Sequence, residues 1–326
     1  MIKKKILVTG GAGFIGSYLV NKLIKNNFHV MVVDNLTCVG GIPFINKKSY
    51  FVKGDFRTKS TLKKIEIFSP EIIFHLAAQS AGEPAYDDPK KDLLNNGYGT
   101  YLLCELAKKI KVKLFIYASS VAIYGSKLKG SLDEKELPNP DSIYGISKYL
   151  GEMYVQLLCK TTKTKFLIFR IFNTYGPGEN LNYQKKGMVS IYASHIWKNK
   201  PILVKGSLDR FRDFTYITDT VNFIYQSIYQ KKLNQVYNLS SGKKTSVKDL
   251  IKTLLAKFNK KKKYSIKILN NTSGDSFGFH SSNKKILKDF KVKFNFKLKE
   301  GLDLYVSWIK IVPKLKNLKK FHPFYE

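Results

Sequence analysis

Arginine is scarce in this chain of 326 residues: only Arg57, Arg170, Arg210 and Arg212 occur, and every other permanent cation is a lysine. Acids are scarce too, 24 against 57 Lys and Arg, which leaves a formal charge of +33. A charge of that size normally suggests nucleic acid or an anionic surface. Nucleic-acid sites favour arginine for its planar, bidentate fork, however, and here the lysines are spread along the whole chain. No nucleic-acid partner is therefore expected, although the charge should attract an anionic nucleotide in a salt-dependent way. Cysteine is limited to Cys38, Cys104 and Cys159, an odd count without metal or redox spacing, which argues against a disulfide framework. His29, His75, His195, His280 and His322 form no metal-like cluster, so no metal is expected. No apolar run is long enough for a bilayer, and the first apolar segment stops at Gly10, too soon for a signal peptide. The expectation is a cytoplasmic protein with no membrane partner.

What the chain does have is alternation. Short apolar runs at Ile6–Thr9, Val30–Val33, Tyr50–Val52, Ile72–His75, Leu114–Ala118 and Phe166–Arg170 are separated by segments of helical spacing. That pattern predicts an α/β fold, a Rossmann-type doubly wound parallel sheet with helices on both faces. Ligands in such folds sit beyond the carboxyl ends of the strands. The first strand runs into Gly10-Gly11-Ala12-Gly13-Phe14-Ile15-Gly16, and helical spacing begins at once with Ile15, Leu19, Leu23 and Ile24 on one face. A helix that starts this abruptly points its first N–H groups outward and makes an anion site. Gly11, Gly13 and Gly16 fit the dinucleotide fingerprint. The second strand ends in Asp34 at about the spacing that brings a carboxylate to the adenosine ribose, so NAD is expected over NADP.

Other informative residues also stand where strands stop. Asp55-Phe56 suits an adenine ring, and Ala77-Ala78 leaves room for a cofactor, although a turn with helix–sheet packing would produce the same residues. His75 reads as a satisfied core histidine. Ser119-Ser120 closes the fifth run. Pro138 and Pro140 then delay the next helix until Asp141 or Ser142 can cap it. Tyr144 and Lys148, four apart, share one face of that helix.

These residues together resemble the extended short-chain dehydrogenase/reductase family, in its NAD-dependent nucleotide-sugar epimerase/dehydratase branch, and are most similar there to UDP-glucose 4-epimerase. The resemblance is carried by Thr9–Gly16, Asp34-Asn35-Leu36, Asp55-Phe56, His75–Ala78, Asn96 with Gly99-Thr100, Ser120, Tyr144–Lys148, Arg170–Pro177 and Arg210–Asp219. It implies that Tyr144 is the catalytic base or acid, Lys148 its electrostatic partner and a ribose contact, and Ser120 a hydrogen-bond donor to the reacting oxygen. It also implies an NAD site of Gly10, Gly13, Phe14, Ile15, Gly16, Asp34, Asn35, Asp55, Phe56, Leu76, Ala77, Ala78, Asn96 and Phe172. Ser80, Asn173 and Arg212 would touch the sugar nucleotide, Arg212 at its diphosphate, with Gln79 near the nicotinamide.

Dehydratases of this branch carry an acidic pair just after the reactive serine or threonine, and decarboxylases a Glu; here Val121-Ala122-Ile123 comes after Ser120. Epimerases that also invert the neighbouring carbons use Cys and His, and neither is present. The resemblance thus implies oxidation at C4, rotation of the keto sugar and reduction from the other face. A nucleotide-sugar reductase or dehydratase of the same family, or a non-catalytic NAD sensor on the same fold, remains an alternative. Many UDP-sugar members grip the diphosphate with an arginine before a Gly-Asp pair. The matching stretch, Asn270–Asp275, has none, and a nearby lysine such as Lys267 would substitute as a point charge.

Free tyrosine titrates near pH 10, so lowering it to about 7 requires roughly 4 kcal/mol. An ammonium about 5 Å away would supply on the order of 3 kcal/mol. The sequence therefore predicts a phenol made acidic by its lysine. Residues 1–177 are expected to form the NAD-binding unit, with a return near 213–240 through strand Gln235–Leu239, and residues 178–326 a smaller nucleotide-sugar lobe. That lobe should include a helix from Thr245 to Phe258, a basic loop at Lys260–Lys263 and a late helix Leu302–Ile309 with Trp308 in the core. A homodimer is implied by the family, with Leu102, Leu103, Leu150, Leu157 and Leu158 as apolar candidates.

Overall fold

A computed structural model of the chain describes residues 4–37, 41–126, 130–260, 264–270 and 276–311. Cys38, His322, Lys261–Lys263 and Asn271–Asp275 lie outside them. The first half alternates as its sequence does: β1 (Lys5–Thr9), α1 (Phe14–Lys25), β2 (His29–Asp34), β3 (Tyr50–Lys53), α2 (Lys59–Phe68) and β4 (Ile72–His75). Two short helices come next, α3 (Gly82–Asp87) and α4 (Pro89–Asp92), the second running into a π-helical turn, Leu93–Tyr98, before α5 (Gly99–Lys109). Then come β5 (Leu114–Ser120), β6 (Ser131–Leu132), α6 (Ile143–Thr161), β7 (Lys165–Ile171) and β8 (Asn173–Tyr175). The remainder is α7 (Met188–Trp197), β9 (Ile202–Lys205), β10 (Phe211–Tyr216), α8 (Ile217–Gln226), β11 (Gln235–Leu239) and β12 (Lys244–Ser246). It continues through α9 (Val247–Lys257), β13 (Ile266–Leu269), β14 (His280–Ser281), α10 (Lys284–Asp289) and α11 (Leu298–Ile311).

Seven strands form one parallel sheet in the order β11-β7-β5-β4-β1-β2-β3. From β1 the chain winds one way through β2 and β3, then crosses to β4 on the other side. That reversal opens a crevice at the carboxyl ends of β1 and β4. The period-2 alternation of strands sorts the core into two layers. Ile6, Val8, Val32 and Phe74 pack with Leu19 and Leu23 of α1, whereas Leu7, Val33, Ile73 and Phe115 pack with Ile65, Leu103 and Val155 of α2, α5 and α6. Burying each such aliphatic side chain contributes about 1.5–3 kcal/mol. No helix among the described residues is long and apolar enough to cross a membrane.

Local signals placed most elements to within a residue or two. The Ser142 side chain caps α6 by accepting from the Gly145 N–H at 3.1 Å, while Asp141 instead accepts from Ser126 N. Ser246 caps α9, so that helix starts at Val247 and not at Thr245. Trp308 is only partly buried, stacked on the core residue Tyr305. Leu103 and Leu158 point into the core and offer no outer surface, whereas Leu157 is exposed.

Beneath the sheet's carboxyl end, Arg170 of β7 forms a fork on Glu152 of α6, with Nε to Oε1 at 3.1 Å and Nη2 to Oε2 at 2.9 Å. Its Nη1 donates to Tyr124 Oη at 2.8 Å, and both charges are almost fully buried. Removing one member of such a pair strands the other charge. Glu152→Ala is expected to lower unfolding free energy by about 3–5 kcal/mol in urea titrations; a loss under 1 kcal/mol would contradict a fully desolvated pair.

Candidate active site

A cavity of about 950 Å³ opens at the crevice and is walled by Gly10, Asp34, Ala77, Ser120, Tyr144 and Lys148, among others. Two glycines shape its floor. Gly10 sits at φ +69°, and a Cβ there would lie 2.6 Å from the Ala77 N. At Gly16 a Cβ would lie 2.1 Å from the Gly10 carbonyl oxygen, so the turn and the start of α1 interlock only without side chains. Gly13 is the N-cap, and Phe14, Ile15 and Gly16 present the open amino end of α1 to the cavity. Gly11, by contrast, faces Val32 and Val20 in the packing below.

Asp34 is held by the Ala12 N–H on Oδ2 at 3.0 Å and the Leu36 N–H on Oδ1 at 2.8 Å. Burial pushes its carboxyl up, and those N–H groups oppose the shift. A carboxylate fixed at this strand end, beside a glycine cradle and a helix amino end, fits the ribose and pyrophosphate of a dinucleotide. Asn35, Phe56, Leu76, Ala78 and Phe172 also line the wall. Two expected contacts are placed elsewhere. Asp55 is not at the wall, and its carboxylate is gripped by the Arg57 guanidinium, which holds it below the usual carboxylate range. Asn96 is buried behind the wall, where Oδ1 accepts from Gln79 N and Nδ2 donates to Gln79 O, both at 2.9 Å, so it pins the Gln79 loop. Its neighbour Asn95 lines the cavity.

On the opposite wall, Arg212 stacks over Phe279 and donates to the carbonyls of Phe211, Ser276 and Phe277. Asn173 donates to the Asp213 carbonyl at 3.4 Å. Ser80 accepts from Lys186 Nζ at 2.7 Å. Lys205 lines the wall and pairs with Glu83, whereas Lys267, on exposed β13, does not reach it. Glu179, unnoticed in the sequence, is a buried wall carboxyl that accepts from Gly176 N; desolvation raises it to about 7.

Tyr144 and Lys148 share the inner face of α6 at the cavity wall, and Ser120 at the end of β5 lines the same wall, where its hydroxyl pulls the Tyr144 phenol down. Their electrostatics correct the expectation from sequence. The Tyr144 phenol is held above its ordinary value, chiefly by burial, with the Ser120 hydroxyl pulling it down and the Asp92 carboxylate adding to the rise. Lys148 is 2 % exposed, its ammonium lies 4.4 Å from the Tyr117 ring centroid, and burial pushes it down to about 7 against the pull of Asp92 and Glu152. The short i,i+4 spacing was legible; the desolvation that accompanies it depends on the sheet underneath. His75, between Thr9 Oγ1 at 2.7 Å and Thr100 Oγ1 at 3.0 Å, is a satisfied core histidine lowered to about 3 by burial. No group of three or more His, Cys, Asp or Glu side chains could hold a metal among the described residues.

The fold and this cavity define a dinucleotide-dependent enzyme. The NAD dependent epimerase/dehydratase family model matches residues 6–240, and the chain belongs to that family. A Methanocaldococcus jannaschii protein to which UDP-glucose 4-epimerase activity is ascribed is 34% identical over 312 residues, covering 94% of this chain and 98% of that one. The Thermotoga maritima UDP-glucose 4-epimerase, solved with UDP-glucose, superposes with a TM-score of 0.89 at 31% identity, over 95% of this chain and 99% of its own. The Bacillus cereus UDP-glucuronic acid 4-epimerase, solved with UDP-glucuronic acid and NAD, gives 0.86 at 28% identity, over 94% and 99%.

A lysine held near 7 when folded and near 10.5 when unfolded binds fewer protons in the native state between those values, so its contribution to stability rises with pH across that window. Lys148→Met is therefore expected to stabilise the ligand-free protein more at pH 6 than at pH 9 in denaturant titrations. A gain independent of pH would contradict the desolvated ammonium.

Proposed function

We propose that the protein interconverts the two C4 epimers of a nucleoside-diphosphate sugar through a transient 4-keto sugar, with NAD as cofactor. The observation that carries this is the neighbourhood of the Ser120–Tyr144 pair. After Ser120 the chain turns into a single 3₁₀ turn, Val121–Tyr124, which brings Val121 and Ala122 to the cavity and supplies no ionisable acid or base other than the Tyr124 phenol. That phenol is tied to Arg170, Asn238 and the Asp133 carbonyl. Dehydration needs a separate acid and base to eliminate water; simple oxidation and reduction at one carbon does not. The similarity to two 4-epimerases solved with UDP-sugars supports the same reading and favours UDP as the nucleotide.

NAD, when bound, supplies the hydride acceptor and later the donor, and the residues from Gly10 to Gly16 with Asp34 would hold it. Once the Tyr144 phenol has released its own proton to solvent, its Oη as phenolate takes the proton as the C4 hydroxyl becomes a carbonyl, and Ser120 Oγ supports the reacting oxygen. Lys148 beneath supplies positive charge that favours the phenolate. The proton returns from Tyr144 when the carbonyl is reduced on its other face. Arg212, Lys186 and Lys205 put positive charge on the wall where a diphosphate would lie.

We further assign residues 1–177, with the 213–240 return, to the cofactor and 178–326 to the nucleotide sugar. Tyr98, Ile146, Met153 and Leu157 form an exposed apolar face along the π turn and α6, which suits a second copy of the chain. The free thiols Cys104 and Cys159 suit the reducing cytoplasm.

Tyr144→Phe is expected to lower kcat by at least 10²-fold with NAD retention unchanged, read by coupled assay and bound-nucleotide analysis. Full turnover in that variant would refute the mechanism, and stoichiometric NADH consumption without an epimer would assign a reductase instead. Met153→Glu combined with Leu157→Lys is expected to convert a dimer to a monomer in analytical ultracentrifugation; an unchanged sedimentation coefficient would place the interface elsewhere.

A further inference from the structure

Behind the Tyr144–Lys148 face lies a carboxylate that neither the motifs nor the cavity wall account for. Asp92, the last residue of α4, has no exposed surface. Its Oδ1 accepts from Asn96 Nδ2 at 3.0 Å, and its Oδ2 has no hydrogen-bond partner. The π turn that begins at Leu93 sets the local geometry, and π turns are frequent at functional sites. Asn96 Nδ2 also reaches Ser147 Oγ at 3.1 Å, and Ser147 Oγ donates to the Tyr144 carbonyl at 3.0 Å. A single amide thus joins Asp92, the Gln79 loop and the turn of α6 that carries Tyr144 and Lys148.

The titratable groups around Lys148 are few: Asp92 from α4, Tyr144 and Glu152 from α6, Tyr117 from β5 and His75 from β4. Tyr117 and His75 are buried and neutral at pH 7. Both oxygens of Glu152 are taken by the Arg170 fork, so its pull on Lys148 is shared with a cation of its own. Asp92 is left as the one carboxylate of that set without a cation of its own; burial pushes its carboxyl up, and Ser147 and the Lys148 ammonium pull it down. An isolated buried carboxylate is costly unless paired.

We propose that Asp92 is a positioning residue for the reaction, a buried counter-charge that keeps Lys148 an ammonium and, through Asn96 and Ser147, fixes the turn of α6 from which Tyr144 reaches the substrate. The proposal rests on Tyr144 and Lys148 being the proton-handling pair, and it adds a source for the charge that their own spacing does not provide. Catalysis draws on an ammonium that burial alone would strip of its proton, and Asp92 opposes that loss without touching substrate.

The test reads Lys148 directly. In NAD-loaded protein carrying ¹⁵N-labelled lysine side chains, with the signal assigned by Lys148→Met, Asp92→Asn keeps the acceptor for Asn96 but loses the charge. Its Lys148 titration is expected to move down by about one pH unit. The alkaline limb of kcat should move with it, a roughly tenfold loss of turnover above that limb. Asp92→Glu is expected to restore most of both. A role in packing alone would lower kcat without moving the titration. An unmoved or raised Lys148 titration in Asp92→Asn, or a Glu variant displaced as far as the Asn variant, overturns the proposal. A second readout needs no variant: the Asp92 carboxyl carbon in wild-type protein should report an ionised group at pH 7, and a neutral acid there overturns the proposal as well. If no nucleotide sugar is turned over while the Lys148 titration still shifts, the epimerase reading fails and the counter-charge stands.

Discussion

Desolvation of one lysine is the constraint around which this site is arranged. Lys148 stands at the cavity wall against the Tyr117 ring of β5, almost wholly buried. A charge in that position costs stability unless acids nearby offset it, and the chain supplies two. Glu152 is consumed by Arg170, and Asp92 is kept dry with one oxygen unpartnered. The same burial that weakens the ammonium holds the Tyr144 phenol protonated. A phenol that starts neutral and gives up its proton only when positive charge is gathered beside it is suited to taking a proton from a hydroxyl and returning it to the same carbon's oxygen.

The doubly wound sheet explains why these groups meet. Reversal of strand order between β1 and β4 leaves a crevice, and the ends of β1, β2, β4, β5 and β7 deliver Gly10, Asp34, Ala77, Ser120 and Phe172 to one cavity. Nothing in that arrangement chooses the chemistry. The choice lies in the residues just after Ser120: an apolar turn at Val121–Ile123 in place of acids that could eliminate water.

The strands were legible in the sequence because each is a short apolar run bounded by turn residues, and Ile72–His75 and Gln235–Leu239 were readable to the residue. The glycine turn, Asp34 and the Tyr144–Lys148 pair were legible for a similar reason, since one strand end or one helix face defines each. What escaped depends on distant segments meeting. The Arg170–Glu152 fork joins residues 18 apart on a strand and a helix, and Asp92 is linked to the Lys148 turn of α6, through Asn96 and Ser147, only because α4 and the π turn fold against that helix. The grip of Arg57 on both oxygens of Asp55 could not be read from its place after a strand. The acidity of Tyr144 failed for a related reason: spacing reveals a neighbouring charge but not how much water both groups have lost.

The central claim is a hydride that leaves C4 and returns to C4. UDP-glucose deuterated at C4, incubated with the NAD-loaded protein and followed by NMR, should yield the C4 epimer with the deuterium still on C4. If UDP-glucose is inert, C4-deuterated sugars on the other nucleoside diphosphates extend the same measurement. An epimer that has exchanged its C4 label with solvent, a 4-keto-6-deoxy product, or no reaction across the set would contradict the account.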